Sequence, residues 1–151
     1  MKLAEALLLR AEYQKKITYL QSRVLSNIKV QENDEPLENP QKLIDETLEL
    51  TEQLCVLIKR INACNNKATL PNGLTISEAI VERETLLKKQ NLLTVITTAA
   101  QTKDFRLTRT ELKMRTIVSM EELQKQIDAL SQRYRILDTE IQSANWITEM
   151  E

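Results

Sequence analysis

Near the end of the chain, polar side chains recur at helical spacing beside a row of apolar residues. An arginine and a tryptophan in such a row can form a pocket for an anionic, nucleotide-like ligand, because a guanidinium pairs with anionic oxygens and stacks on planar rings. Basic residues of the connection that precedes this helix can add charge to the pocket. The candidate ligand-binding residues are Arg109, Glu111, Lys113, Arg135, Asp138, Gln142, Asn145 and Trp146.

The same polar edge also has a structural interpretation, which the sequence favours. Arg135 and Asp138 lie three residues apart and can close an ion pair within one helix. Gln142 and Asn145 can form hydrogen bonds with a neighbouring helix. In this interpretation the edge fixes the register of helices or subunits, and the anion pocket is the alternative.

Composition excludes several catalytic and metal-binding chemistries. The chain contains no histidine, which removes the histidine zinc motifs and the Ser-His-Asp and Cys-His arrangements. Cys55 and Cys64 point to nearly opposite sides of a predicted helix, so they neither bridge each other nor form a zinc site. A single glycine leaves no glycine-rich loop to bind phosphate. We therefore predict a protein that is not an enzyme and that uses no cofactor and no metal.

Length and charge narrow the class of protein further. The 151 residues predict one domain, residues 1–151, and a net charge of -1 with a pI of about 5.7 provides no positive field for nucleic acid. No apolar run approaches the roughly 20 residues that span a bilayer. Residues 1–10 carry charge within a short apolar run, unlike a signal peptide. We predict a cytoplasmic protein that binds neither nucleic acid nor a membrane.

One spacing that occurs twice indicates the elements that must position these residues. Residues separated alternately by four and three positions form a row along one face of a helix. The first row is Leu43, Thr47, Leu50, Leu54, Leu57, Ile61 and Cys64, and the second is Leu123, Ile127, Leu130, Tyr134, Leu137, Ile141 and Ala144. A second stripe beside the first row comprises Ile44, Leu48, Cys55 and Ile58. This face is too wide for a two-stranded contact and indicates a bundle.

Start and stop signals divide the chain into four helices. The first carries Asn27 within its apolar row, at a position that often fixes register. Capping residues mark the starts of the other three, namely Asn39 before Pro40, Thr75 with Glu78, and Ser119 with Glu122. The predicted helices span about 2–29, 40–66, 75–101 and 119–145, with a loop at 30–39 and a sharp turn at 70–73.

Between the third and fourth helices the apolar period changes. Over 107–118, apolar and charged residues alternate, which is typical of a strand. A single strand must pair with a copy in another subunit or lie across helices. We therefore predict an all-α fold of about four long antiparallel helices in a bundle, with one extended, strand-like arm between helices 3 and 4.

Several segments resemble a known family. The opening MKLAEALLLRAEYQKKI, the loop VQENDEPLENP, the segments KRINACNN, LTISEAIVERE and TRTELK, and the ending YRILDTEIQSANWITEM are similar to small bacterial septicolysin-like proteins. The resemblance covers nearly the whole chain and implies an uncharacterised helical protein, and the family label implies a cytolysin. The residues argue against lysis, since the chain has neither a long apolar hairpin nor a cationic amphipathic face with aromatic residues.

The wide apolar face of the second helix and the unpaired arm indicate self-association. We predict a homo-oligomer that acts by binding another protein or its own copies. The alternative is a protein that binds or sequesters a small anionic ligand at a subunit interface. A cytolysin is the least favoured of the three.

Overall fold

Four helices make up the regular structure of the described residues. The computed structural model describes residues 1–101 and 114–151. The helices are α1 (Leu3–Asn27), α2 (Pro40–Lys67), α3 (Ile76–Gln101) and α4 (Met120–Ile147). The predicted all-α class is confirmed, and each helix begins and ends within two residues or so of its predicted bounds. None of the described helices is long and apolar enough to cross a membrane.

Local capping chemistry fixes two of the helix starts. The side-chain oxygen of Asn39 accepts hydrogen bonds from the backbone amides of Gln41 and Lys42 at 3.0 and 3.3 Å, as predicted for a cap before Pro40. The Ser119 hydroxyl accepts one from the amide of Glu122 at 3.2 Å. These amides have no partner within the helix, so the caps satisfy donors that the helix itself leaves open.

The predicted turn at 70–73 closes a short loop between α2 and α3. The Leu70 carbonyl accepts a hydrogen bond from the amide of Gly73 at 2.9 Å, and the Leu70 amide donates to Leu74 at 2.8 Å. Gly73 has a φ of 89°, a conformation that favours glycine. The Ile76 amide then donates to the Ala68 carbonyl, which ties the first turn of α3 to the end of α2.

The chain divides into two compact units, so the prediction of a single domain stays a prediction. Unit 1 comprises Met1–Ser77 and Gln142–Glu151, and unit 2 comprises Glu78–Ile141. In unit 1, α1 and α2 pack antiparallel, since Lys16 lies 3.6 Å from Glu46 while Arg23 pairs with Glu38. Their core contains Leu20, Leu43 and Leu50, with Tyr13, Ile17 and Val24 packed against it.

The apolar rows predicted on α2 and α4 differ in how well they are covered. On α2, Leu43, Leu50, Leu57 and Ile61 are buried, which confirms that row, whereas Leu48 of the second stripe is 65% exposed. On α4, only the later members, Leu137, Ile141 and Ala144, are buried. The earlier members of the α4 row are half-buried.

The predicted strand-like arm has no support in the part of it that the structure describes. Residues 114–118 contain no strand, and their side chains are exposed. Residues 107–113 lie outside the described residues. The alternation of apolar and charged residues does not identify a strand in residues 114–118, because the described part of the chain contains no strand with which they could pair.

Candidate functional site

The α3–α4 hairpin of unit 2 is held in register by polar contacts between its two helices. Arg83 Nη1 donates to the Asp138 carboxylate at 2.7 Å, and the Gln90 amide donates to the Ser131 hydroxyl at 2.6 Å. Near the far end, the Thr116 hydroxyl donates to the Ala100 carbonyl at 3.0 Å. The contact with the higher residue number on α3 has the lower residue number on α4, so the two helices are antiparallel. We call the end near residues 101 and 120 the tip.

In the described residues, the part of the hairpin toward the tip has no buried core of its own. The large buried apolar side chains of the described part of unit 2 are Leu86, Leu137 and Ile141, all at the end away from the tip. Among the described residues 87–101 and 114–136, not one side chain is buried. Two helices alone can bury only one side of each, and helices in proteins gain most of their stability from tertiary packing. This part of the hairpin therefore offers apolar surface that a further element could cover.

A groove between α3 and α4 runs along one side of this uncovered region. It has a volume of about 370 Å³ and is lined by Lys89, Leu92, Leu93, Gln126, Ala129 and Leu130. Leu93 and Leu130 belong to the seam between the two helices, while Leu92 is 60% exposed. Helical spacing adds Ile96, Glu122 and Arg133 to the same side. We call this side of the hairpin, from Lys89 to Ile96 and from Glu122 to Arg133, the open face.

Charges on the open face are segregated along its length. Lys89 and Arg133 lie on the side away from the tip, and Glu122 lies on the tip side. Lys125 is closer to Glu121, at 3.3 Å, than to Glu122, at 3.7 Å, so Glu122 is only loosely paired within its own helix. Between these charges α3 contributes no charged residue from Gln90 to Gln101. An uncharged centre with opposite charges at its two ends suits protein–protein contact better than the binding of a small anion.

The predicted anion site is only partly within the described chain. Arg109, Glu111 and Lys113 lie outside the described residues. Arg135, in unit 2, has an exposed side chain. Asp138 forms its ion pair with Arg83 of α3, where the sequence suggested Arg135 of its own helix. The contact therefore joins two helices, and it supports the structural interpretation of this part of the polar edge.

The rest of the predicted site belongs to unit 1. Gln142 and Trp146 are exposed, with Trp146 57% exposed, whereas Asn145 is buried. The five predicted residues that the structure describes are thus divided between two units. The predicted ligand site stays a prediction.

A cluster in unit 1 that the sequence did not indicate lies where the two ends of the described chain meet. The Leu3 amide donates to the Thr148 carbonyl at 2.9 Å, and Lys2 Nζ lies 2.7 Å from the Glu149 carboxylate. The Met1 amine is 3.3 Å from the same carboxylate. The hydrogen bond from Lys2, reinforced by that from the amine, lowers the pKa of Glu149. No spacing pattern could have indicated this cluster, because its partners are about as far apart in sequence as the chain allows.

A cleft of about 380 Å³ adjoins this cluster at the end of α2. Arg60 donates two hydrogen bonds to the backbone oxygen of Glu151, at 2.7 and 3.2 Å, and Lys67 lies 3.5 Å from the Glu151 carboxylate. Cys64 also lines the cleft, and burial raises the pKa of its thiol, which disfavours the reactive thiolate. Both cations already contact Glu151, so this cleft is a weaker candidate for a binding site than the open face.

One sequence signal could have located the open face. The uncharged run from Gln90 to Thr102 is too short for a membrane span, yet a helix exposed to water on most of its surface seldom lacks charge for three turns. No sequence pattern indicated the ion pair of Arg83 with Asp138, because the two residues lie on different helices. In the described chain, no group of three or more Cys, Asp and Glu side chains is placed to hold a metal ion.

Comparison with known proteins relates the sequence to a family of unknown function and to a solved structure. Residues 10–150 match a family described as "Family of unknown function (DUF6847)". The chain is 36% identical to a functionally unknown conserved protein from Corynebacterium diphtheriae whose crystal structure is known, over 100% of this chain and 99% of that one, with a TM-score of 0.90. No curated protein matches. The predicted septicolysin-like membership is wrong, since the matching family is a different one and no finding points to septicolysin.

Proposed function

We propose that this chain, which belongs to the family of unknown function DUF6847, acts by binding and not by catalysis. In this proposal it forms a homo-oligomer that is assembled through the open face. The observation that carries the proposal is the uncovered half of the α3–α4 hairpin. Its described side chains from 87 to 101 and from 120 to 136 are exposed or half-buried.

Burial energetics favour covering this surface. Leu92 is 60% exposed and Ile96 is 36% exposed, although both lie beside the groove. Fully burying a leucine or isoleucine side chain stabilises a protein by about 1.5–3 kcal/mol relative to leaving it exposed. A partner that covered the open face would recover part of that energy at each of these positions, and a symmetric partner would recover it twice.

The distribution of charge on the open face supports a second copy of the chain as the partner. The face carries an apolar centre between charges of opposite sign, so it is complementary to itself when one copy is reversed. Closed two-fold dimers require such self-complementarity, because the same patch contributes both sides of the contact.

The test is the mass of the protein in solution across a wide range of concentrations, by light scattering on a sizing column. We expect the wild-type chain to be a dimer or larger, and the Leu92→Glu variant to be monomeric at concentrations where the wild type is assembled. A buried carboxylate without a partner is costly, and this substitution would place one in each half of the interface.

Leu25→Glu is the matched control, since Leu25 is 62% exposed on α1 of unit 1. It introduces the same charge at a similarly exposed leucine, and we expect it to leave the mass unchanged. Far-ultraviolet circular dichroism checks that both variants keep their helices. A monomeric wild type at every concentration, or a Leu92→Glu variant that assembles like the wild type, contradicts the proposal.

A further inference from the structure

The levels of the charged residues along the hairpin follow from its register. Since Gln90 contacts Ser131, Leu92 is level with Ala129, and Lys89 is nearly level with Arg133. Glu122 lies on the tip side of this level, eleven residues before Arg133 on α4, which is about 16 Å along the helix axis. The open face therefore carries two cations at one level and an anion at another.

Two symmetric arrangements can bring two open faces together. If both tips point the same way, the two-fold axis runs along the helices, and each level of one copy meets the same level of the other. Lys89 and Arg133 of both copies would then meet, with four cations at one level. If the tips point in opposite directions, the axis crosses the helices, so that α3 faces α3 and α4 faces α4. The level of Arg133 in one copy can then meet the level of Glu122 in the other.

We infer that two copies pair through their open faces with their tips in opposite directions, so that Glu122 of each α4 pairs with Arg133 of the other. The inference rests on the proposed homo-oligomer and adds its orientation and register. The two-fold axis crosses α4 midway between Glu122 and Arg133, near Ile127. At that register Leu92 of each α3 packs against Ile96 of the other, and the four helices form a bundle that covers the groove.

The apolar and charged parts of the face agree on this register. One position of the two-fold axis pairs Glu122 with Arg133 on α4 and also Leu92 with Ile96 on α3. Lys89 of each copy comes to the level of Ala99 of the other, within the uncharged stretch of α3, where it meets no cation. Among the described residues, the arrangement with tips together offers Glu122 no partner on the other copy.

A charge exchange tests the inference. Glu122→Arg alone and Arg133→Glu alone each replace two attractive contacts per dimer by two repulsive ones, and we expect either change to raise the dissociation constant by about tenfold or more. The double variant, with both changes, restores opposite charges at the same positions. We expect it to dimerise within about threefold of the wild-type dissociation constant. The measurement is sedimentation equilibrium at low salt, where exposed ion pairs are least screened.

The control exchanges the neighbouring charges Glu121 and Arg135, which lie on other sides of α4. Glu121→Arg and Arg135→Glu make the same changes of net charge, and we expect neither to alter the dissociation constant. A double variant that stays dissociated, single variants that dimerise like the wild type, or an Arg133→Glu variant that dimerises more tightly overturns the inferred arrangement. A wild-type chain that is monomeric throughout overturns the proposed function itself, so the two failures are distinguishable.

Discussion

The two units of this protein cover the apolar faces of their helices to different extents. Unit 1 encloses a leucine core between α1 and α2 and ties both ends of the described chain together through the pair of Lys2 with Glu149. Described residues of unit 2 toward the tip are paired only across a single seam, and their apolar side chains beyond Leu86 stay exposed or half-buried. The difference shows that helix length alone does not provide a core, since a hairpin longer than its covered part leaves apolar side chains exposed.

The largest effect that tests this comparison is the loss of a core leucine in unit 1. Leu20 is 1% exposed, so Leu20→Ala should lower the free energy of unfolding by about 2–5 kcal/mol, as transfer and cavity costs add. Leu93→Ala, in the half-buried seam of unit 2, should cost only about 1 kcal/mol in dilute protein. Urea unfolding followed by circular dichroism measures both. If Leu93→Ala is as costly as Leu20→Ala in dilute protein, the hairpin is already covered and the comparison fails.

An intermediate effect is expected at Asn27, the buried polar residue of the α1 row. Its side-chain oxygen accepts from the Glu38 amide at 3.1 Å, and its amide group donates to the Arg23 carbonyl at 2.8 Å. Asn27→Ala leaves the Glu38 amide without this acceptor and should cost about 1–3 kcal/mol in the same unfolding experiment.

Ser26→Ala is the control for that change. Ser26 is exposed and bonds only within its own helix, through its hydroxyl and the Ser22 carbonyl, so its loss should be almost neutral. Equal costs at the two positions would show that Asn27 contributes nothing to the path of the chain after α1.

The smallest effect is a dependence on pH from the cluster at the chain ends. The folded protein lowers the pKa of Glu149 below its ordinary value, first through its hydrogen bond with Lys2. Such a group stabilises the fold above its unfolded pKa, and the contribution is lost as the pH falls through the folded pKa. Glu149→Gln should therefore lower the melting temperature slightly at neutral pH, and its difference from the wild type should vanish in acid.

Thermal melting of wild type and Glu149→Gln across the acidic range checks this expectation, with Glu12→Gln on the exposed surface of α1 as control. A difference between wild type and Glu149→Gln that persists below the folded pKa contradicts the role of the charge. It would point instead to the shape of the side chain, since both carboxyl and amide are then neutral.

Local signals predicted the helices well, and long-range contacts escaped prediction. Asn39 and Ser119 cap the helices that they were expected to cap, because a cap depends only on the next three residues. Asp138 was expected to pair with Arg135, but it pairs with Arg83, since a half-buried contact between helices provides a more fixed partner than an exposed neighbour on the same helix. Spacing shows which residues share a face and does not show what covers that face.

The predicted family and the predicted site show the same difference between local patterns and features that depend on the whole chain. Short blocks of sequence suggested a septicolysin-like family, whereas agreement over residues 10–150 places the chain elsewhere. The candidate residues Arg135 and Trp146 share a helix in the sequence pattern, yet they fall in different units. The open face was within reach of sequence reasoning, because the uncharged run on α3 was visible, but only the pairing of α3 with α4 shows which charges flank it.

The discontinuity of unit 1 has a consequence for synthesis. Residues 142–151 are made only after every residue of unit 2 has been made, because Glu78–Ile141 is inserted between Ser77 and Gln142. The α1–α2 pair can form early from nearby residues, whereas joining Leu3 to Thr148 must close a loop of almost the whole chain. The nascent chain therefore presents the uncharged side of α3 before unit 1 is complete.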